Sequence, residues 1–161
     1  MKGIIAVDSY FGNTLRIAEA FAEQIRFEGH DVKLINLHEK LEAPGEGDFI
    51  FIGSPTRIKR MTKKAKKFVK KLDVSVWKGK PIVAFDTVSA LPTDPVEREK
   101  AKKWTEDGAG PKLQRMIKER GLDAYPEVLR YDVKDMKGPL VDGSIEAAKK
   151  QAHDFLASIK R

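Results

Sequence analysis

The hydrophobic residues of the chain fall into two patterns, short continuous runs and longer segments with helical spacing. Five short runs are mostly apolar, which is typical of strands buried on both faces of a sheet. These predicted strands cover residues 3–7, 31–36, 48–53, 80–87 and 127–133. Between the second and third of them, residues 42–47 have the proline, glycine and acidic composition of a loop.

Segments with an apolar residue at every third or fourth position predict the helices between these strands. Such segments cover residues 15–25, 63–72 and 144–159, and start and stop signals predict two further helices over residues 95–104 and 111–120. Asp94 and Glu97 form a capping box around Pro95, and Gly29 and Gly121 suit helix ends. Strands that alternate with helices predict an α/β fold, a doubly wound parallel sheet with helices on both faces. Five strands in a chain of this length fit the strand order 2-1-3-4-5.

The composition is that of a globular domain. The chain has 161 residues, 41% of them hydrophobic and 34% charged, which suits a single domain over residues 1–161. No apolar run approaches the ~20 residues of a membrane span, and the run before Asp8 is too short for a signal peptide. Cysteine is absent, which excludes disulfides, iron–sulfur clusters and thiolate zinc sites. We therefore expect a cytoplasmic protein.

The formal net charge of +7 is concentrated in one segment. Residues 49–72 contain nine lysines and arginines and no acid, so the rest of the chain carries a net charge of −2. A run of lysines on a helix is usually a solvated face, but like charges four residues apart destabilise a helix. The segment from Arg57 to Lys71 therefore predicts a basic face that serves something other than helix stability.

The first predicted strand is followed by Ser-Tyr-Phe-Gly-Asn-Thr at residues 9–14, which leads directly into a helix. In a doubly wound sheet, ligands bind beyond the carboxyl ends of the strands. Small hydroxyl residues, a glycine and an asparagine at a helix N-terminus offer N–H and hydroxyl donors and the positive end of the helix dipole. The segment predicts an uncharged phosphate cradle, with a plain helix cap as the alternative. The Walker lysine pattern and the three-glycine dinucleotide fingerprint are both missing.

Residues 9–14 resemble the phosphate loop of the flavodoxin-like FMN proteins, Thr/Ser-x-Thr-Gly-Asn-Thr, with Phe11 in place of a hydroxyl residue. Residues 53–61, from Gly-Ser-Pro-Thr-Arg to Met61, resemble the ring-lining loop of the tryptophan-repressor-binding-protein-like quinone oxidoreductases. Residues 84–89, at the end of the fourth strand, stand at the place of the other flavin-flanking loop. The resemblance covers essentially the whole chain. It implies a flavodoxin-like fold that binds one FMN non-covalently.

The resemblance also implies which residues bind the cofactor, and they come from three loops and one helix. They are Ser9, Tyr10, Phe11, Gly12, Asn13 and Thr14, then Pro55, Thr56, Arg57 and Ile58, then Thr87, Val88 and Ser89, and finally Trp104. Among the ring contacts, Thr56 and Arg57 are expected to use their backbone N–H groups, with the Arg57 guanidinium as a further donor.

The ring loops depart from the pattern of many flavodoxins, in which each loop stacks an aromatic residue on the flavin. Here the loop after the third strand offers Arg57 and Ile58, and the loop after the fourth strand offers Val88. Loss of stacking weakens binding by on the order of 1–3 kcal/mol per ring. Trp104 is expected either to cap the flavin as a lid or to pack against the domain in the ordinary way. Tyr10 is expected to contact the flavin or a partner, or to be a surface aromatic.

The sequence shows no other catalytic constellation. His30, His38 and His153 are scattered, without the spacing of a metal site, and structural roles are expected for all three. Ser54 and Ser89 lack a Gly-x-Ser-x-Gly elbow and evident histidine or aspartate partners. No catalytic residue and no metal ligand is predicted.

Three functions fit these features. The first is an FMN-binding electron carrier, in which the basic face between Arg57 and Lys71 steers an acidic redox protein. The second is an FMN-dependent NAD(P)H:quinone oxidoreductase, suggested by residues 55–57 and Met61, although the longer insertions of that family are missing. The third is a flavin-free module that uses its basic face on nucleic acid. Because aromatic residues are not interleaved with the lysines, nucleic acid is the less expected partner, and no membrane partner is expected.

Overall fold

The computed structural model describes residues 1–160 and places five strands in one sheet, in the order β2-β1-β3-β4-β5. All four neighbouring pairs are parallel, so the carboxyl ends of the strands meet at one edge of the sheet. The predicted strand order is confirmed. The strands are β1 (Lys2–Val7), β2 (Asp31–Asn36), β3 (Phe49–Pro55), β4 (Ile82–Ser89) and β5 (Leu129–Val133).

The helices follow the predicted spacing, with ends that differ by a few residues. They are α1 (Asn13–Phe27), α2 (Lys63–Lys70), α3 (Val74–Trp77), α4 (Pro95–Thr105), α5 (Ala109–Glu119) and α6 (Ser144–Ile159). The short α3 was not predicted, because a single turn is too short to show periodicity; the Asp73 side chain caps it. Within residues 1–160, none of these helices has the length and apolar character needed to cross a membrane.

Two apolar layers cover the sheet, one on each face. On the first face, α1 and α6 pack against an aromatic cluster in which Phe21, Phe51 and Phe155 meet edge to face. On the second face, α2 and α5 pack against Ile4, Ile52 and their neighbours. Successive residues of β1, β3 and β4 point to opposite faces and are buried on both, which explains why these strands read as continuous apolar runs.

Helix α4 is the exception to this packing, because none of its residues is buried. Asp94 caps its first turn by accepting a hydrogen bond from the Glu97 N–H, as the sequence predicted. The helix has little apolar periodicity to direct a face inward. It stands beside the edge where the strands end, and its last residues reach the loops there.

Candidate functional site

A cavity of about 290 Å³ lies at the carboxyl edge of the sheet, between the loops that follow β1, β3, β4 and β5. Every residue predicted to bind the cofactor lines this cavity except Gly12. Thr105, Val133 and Met136 line it as well and were not predicted. Val133 ends the last strand and Met136 follows it, so the carboxyl-end rule that identified the other loops would also have found them. The cavity brings the three predicted loops together, and their binding roles stay predictions.

The loop after β1 ends at Gly12, which has a φ of +91° and is the N-cap of α1. Its N–H donates to Ser9 Oγ over 3.1 Å, which folds residues 9–12 into a compact turn. No side chain caps α1, and its first turn has no acidic residue. The N–H groups and the positive dipole end of a 15-residue helix are therefore free to receive an anion.

Two hydroxyl groups meet beneath this loop. Thr14 Oγ1 and Thr87 Oγ1 are 2.8 Å apart, and both side chains are buried. One hydroxyl donates to the other, which leaves one of the two hydrogens for a ligand. One side-chain N–H of Asn13 is already used, because Nδ2 donates to the Lys137 carbonyl over 3.0 Å and ties the β5–α6 loop to this site.

The loop after β3 forms a tight hairpin turn. The N–H groups of Arg57 and Arg60 each donate to the other residue's carbonyl over 2.9 Å, and Ile58 and Lys59 between them have φ values of +48° and +63°. The Thr56 N–H donates to the Thr87 carbonyl over 2.9 Å. Protein carbonyls therefore accept both N–H groups in this conformation, and the expected ring contacts of Thr56 and Arg57 stay predictions.

A buried ion pair fixes the position of this turn. Asp86, fully buried within β4, accepts hydrogen bonds from Arg130 Nη2, Thr56 Oγ1 and the Gly110 N–H at 2.8–3.0 Å. Arg130 also donates to the carbonyls of Thr105 and Glu106. Through the Asp86 carboxylate and the two carbonyls, the network joins the turn, α5 and the end of α4 into one frame.

Exposed aromatic residues surround the mouth of the cavity, each with a cation on its face. The Arg57 guanidinium carbon lies 4.5 Å from the Tyr10 ring centre and 6.0 Å from that of Phe11. Lys59 Nζ lies 4.8 Å from the Trp104 ring centre. Trp104 is 50% exposed and lines the cavity, so it does not pack into the core.

Asp8 lies immediately before this loop and is fully buried. Neither carboxylate oxygen has a hydrogen-bond partner, and His38 Nδ1 lies 3.4 Å from Oδ1, within ion-pair range only. The other two histidines pair elsewhere, His30 with the Met1 amino group and His153 with Glu28. Among residues 1–160, no group of three or more histidine, cysteine, aspartate or glutamate side chains is placed to hold a metal ion.

Comparison with known proteins agrees with this architecture. The family model described as a flavodoxin domain matches residues 4–127. A flavodoxin from the domain Archaea is 25% identical, with a TM-score of 0.76 over 100% of both chains. Flavodoxin 1 from Bacillus cereus is 17% identical, with a TM-score of 0.69 over 99% of this chain and 100% of that one. The rubredoxin oxygen:oxidoreductase from Desulfovibrio gigas is 19% identical, with a TM-score of 0.72 over 98% of this chain but 35% of that one.

No match was found among the curated proteins. The family model nevertheless spans most of the chain, and the structural likenesses below 25% identity add agreement on the fold. The expected flavodoxin-like fold is confirmed, and the family implies a flavin cofactor, typically FMN, and electron transfer in general. The chain belongs to the flavodoxin-domain family.

Proposed function

We propose that this protein is an electron carrier that binds FMN in the cavity at the carboxyl edge of its sheet. The observation that supports it most is the continuity between the uncapped N-terminus of α1 and a cavity with largely apolar walls. FMN has the same two parts, a phosphate dianion and a flat, largely apolar ring system. When bound, FMN supplies the redox chemistry, and the protein supplies binding, orientation and electrostatics.

The residues around the start of α1 suit the phosphate. Gly12 lets the backbone turn so that the first N–H groups of the helix converge, and the Thr14–Thr87 pair offers one hydroxyl hydrogen. Ser9 Oγ accepts from the Gly12 N–H, so its own hydrogen stays available. The first turn of α1 contains no carboxylate to repel a dianion.

The opposite half of the cavity suits the ring. Pro55, Val88, Val133 and Met136 provide apolar walls, and the half-exposed Trp104 stands at the mouth. A flat aromatic system gains from such contacts and from stacking against an indole. Trp104 therefore takes the place of the aromatic residues that the two ring loops lack.

The lining also favours a carrier over an enzyme that needs acid–base catalysis. Tyr10 and Arg57 are the only ionisable side chains among the lining residues of the described chain. Histidine, aspartate, glutamate and lysine, which serve most enzymes as general acids and bases, are missing from the lining within the described residues. The residues that hold the cofactor would thus confine it without adding a proton-transfer group.

The NAD(P)H:quinone oxidoreductase activity is kept as a second candidate. It is favoured by the Arg57 guanidinium at the mouth of the cavity, where it could receive an anionic or planar substrate. Anaerobic mixing of the FMN-loaded protein with NADH distinguishes the electron carrier from the oxidoreductase. Slow bleaching of the flavin absorbance fits a carrier, whereas bleaching within a catalytic turnover time fits the reductase.

FMN titration of the purified protein, followed by flavin fluorescence, tests the proposal directly. We expect saturable quenching in the parent, and weaker binding in Ser9→Asp by on the order of 100-fold. This estimate is the repulsion between one charge and a dianion roughly 6 Å apart at an effective dielectric of about 40.

The matched control is Ser158→Asp, which makes the same change near the end of α6, at the opposite edge of the sheet. It is expected to bind FMN like the parent. Absence of saturable binding in the parent, or equal losses in both variants, would overturn the proposal.

A further inference from the structure

The mouth of the cavity carries an unusual share of the exposed apolar surface. Five of the nine large apolar side chains that are exposed within residues 1–160 line this one opening. They are Tyr10 at 46%, Phe11 at 45%, Ile58 at 80%, Trp104 at 50% and Met136 at 70% exposure. They come from four separate segments of the chain. Scattered apolar residues need no explanation, but a cluster contributed by four segments marks a contact surface.

Four cations accompany the aromatic residues of the opening. Besides Arg57 and Lys59, Lys103 Nζ lies 5.8 Å from the Trp104 ring centre and Lys137 Nζ lies 5.9 Å from that of Phe11. Within residues 1–160, no carboxylate forms an ion pair with any of these four cations. Their charge is therefore available to a partner molecule.

Helix α2 extends this positive surface from the turn at Ile58 and Lys59. Its inner face buries Ala65, Phe68 and Val69, and its outer positions are lysines. The first turn of the helix contains lysines and no acid, which is the unfavourable arrangement for the helix dipole. Lysines four residues apart repel each other by about 0.2–0.5 kcal/mol per pair. Because these lysines do not stabilise α2, we attribute them to the binding of a partner molecule.

We infer that the mouth of the cavity is the docking surface for an acidic electron-transfer protein. An apolar centre enclosed by charged residues is the usual arrangement of a transient protein interface. Carboxylates of the partner would meet the four cations at the rim, and the α2 lysines would steer its approach. The inference rests on the proposed function, and it places the partner over the opening itself, in addition to the basic face from Arg57 to Lys71.

The composition of the opening favours a protein over nucleic acid. Ile58 and Met136 are aliphatic and highly exposed, and such side chains suit an apolar protein patch. The faces of Tyr10 and Phe11 already hold a cation, so these two rings are not open platforms on which bases could stack.

The test uses two rim cations that lie outside the proposed cofactor-binding residues. The variant Lys103→Glu/Lys137→Glu reverses charge on two sides of the opening. The control Lys78→Glu/Lys118→Glu makes the same change before β4 and near the end of α5, at the opposite edge of the sheet. FMN affinity is measured first for each protein. The probes are cytochrome b5, an acidic haem protein, and cytochrome c, a basic one.

The FMN-loaded protein is photoreduced and mixed with each oxidised cytochrome in a stopped-flow instrument. The second-order rate constant of electron transfer is measured as a function of salt concentration. We expect cytochrome b5 to react faster than cytochrome c at low salt, with a rate constant that falls as salt rises. The rim variant should lose about tenfold or more of the low-salt rate with cytochrome b5, and the control variant should not. Faster reaction with cytochrome c, or equal effects of the two variants, would overturn the inference.

Calorimetric titration of the flavin-free protein with cytochrome b5 separates the two proposals. If the protein does not bind FMN, the proposed function is overturned. The docking of cytochrome b5 is still tested in that case, because its heat of binding is measured without FMN. Binding of single-stranded oligothymidylate that is tighter than binding of cytochrome b5 would assign the surface to nucleic acid and overturn the inference.

Discussion

At the scale of single residues, Asp8 is the side chain whose surroundings suit its charge least. It is fully buried, and neither of its oxygens has a hydrogen-bond partner within residues 1–160. His38 lies 3.4 Å away without a hydrogen bond, and its side chain is 48% exposed. A buried charge with so little compensation destabilises the folded state. Asp8 lies one residue before the phosphate loop. Strain and unsatisfied polar groups are common at functional sites.

We expect the isosteric substitution Asp8→Asn to raise the free energy of unfolding by about 1 kcal/mol or more, because it removes an uncompensated buried charge. It should also tighten FMN binding, since one negative charge near the phosphate cradle is lost. Urea unfolding at neutral pH and FMN titration measure the two effects.

The control is Asp123→Asn, which neutralises an exposed aspartate between α5 and β5 and should change neither quantity. A loss of stability in Asp8→Asn that is matched by a loss in His38→Gln would mean that the Asp8–His38 pair stabilises the fold, and would contradict the prediction.

At the scale of elements, α4 is attached to the rest of the molecule at one end only. None of its residues is buried, and its last carbonyls are held by Arg130. The α4–α5 connection has a second anchor, since Arg115 donates to both oxygens of Asp107 over 2.7 and 2.9 Å. These hydrogen bonds lower the pKa of Asp107. Helices with little buried surface open locally at low free-energy cost.

We therefore expect the amides of α4 to exchange with solvent faster than those of α1 and α6. Arg130→Lys keeps a cation beside Asp86 but loses the hydrogen bonds to Thr105 and Glu106. Exchange around residues 104–107 should then rise by about tenfold or more, because a hydrogen bond from a charged group contributes about 1.5–3 kcal/mol. Hydrogen exchange followed by mass spectrometry measures both effects.

The matched control for that variant is Arg115→Lys, which removes the other anchor and leaves Arg130 in place. Protection of α4 equal to that of α1 in the parent protein would show that contacts not evident in the static structure hold this helix.

The elements that the sequence predicted well are those whose pattern is set by burial. The strands were recognisable because β1, β3 and β4 are buried on both faces, and α6 because its apolar stripe is long. The hairpin turn at residues 57–60 was not recognisable, since Ile58 and Lys59 are unusual in a conformation that favours asparagine and glycine. Tertiary contacts override local preference there, including the hydrogen bond that Lys112 Nζ donates to the Lys59 carbonyl.

The candidate site divides in the same way. Its position follows from topology, so the loops after β1, β3 and β4 could be identified from the order of the strands. The hydrogen bonds of individual groups depend on side chains distant in sequence. Thr56 Oγ1 donates to Asp86, and Lys59 Nζ lies over the ring of Trp104. No local sequence pattern connects either pair.

At the scale of the whole molecule, two groups with shifted pKa values lie near each other in the chain, Glu28 after α1 and His30 before β2. His153 Nδ1 lies 3.0 Å from Glu28 Oε1. Burial alone would raise the pKa of Glu28, but hydrogen bonds from Gln24 and His153 and the nearby positive charges outweigh it and lower the pKa below 4.5. Burial, and then the positive charges of the Met1 amino group and Lys160, lower the pKa of His30 below its ordinary 6.5.

Both shifts make the folded protein less stable in acid. Because the folded pKa of His30 is lowered, its contribution is complete above pH 6.5 and is lost as the pH falls towards the folded value. The contribution of Glu28 is complete above pH 4.5 and is lost as the pH falls through its lowered pKa. We expect the free energy of unfolding, measured by urea titration across this range, to decline in two successive steps on acidification.

Two variants assign these steps to residues. His30→Asn should remove the decline that begins near pH 6.5, because the unfolded chain no longer takes up that proton. Glu28→Gln should lower stability at neutral pH and flatten the curve below pH 4.5, with Glu19→Gln on the same helix as the matched removal of an exposed carboxylate. A parent curve that stays level from neutral pH down to pH 4.5 would show that the burial of His30 does not persist in solution, and that this end of the molecule is open to water.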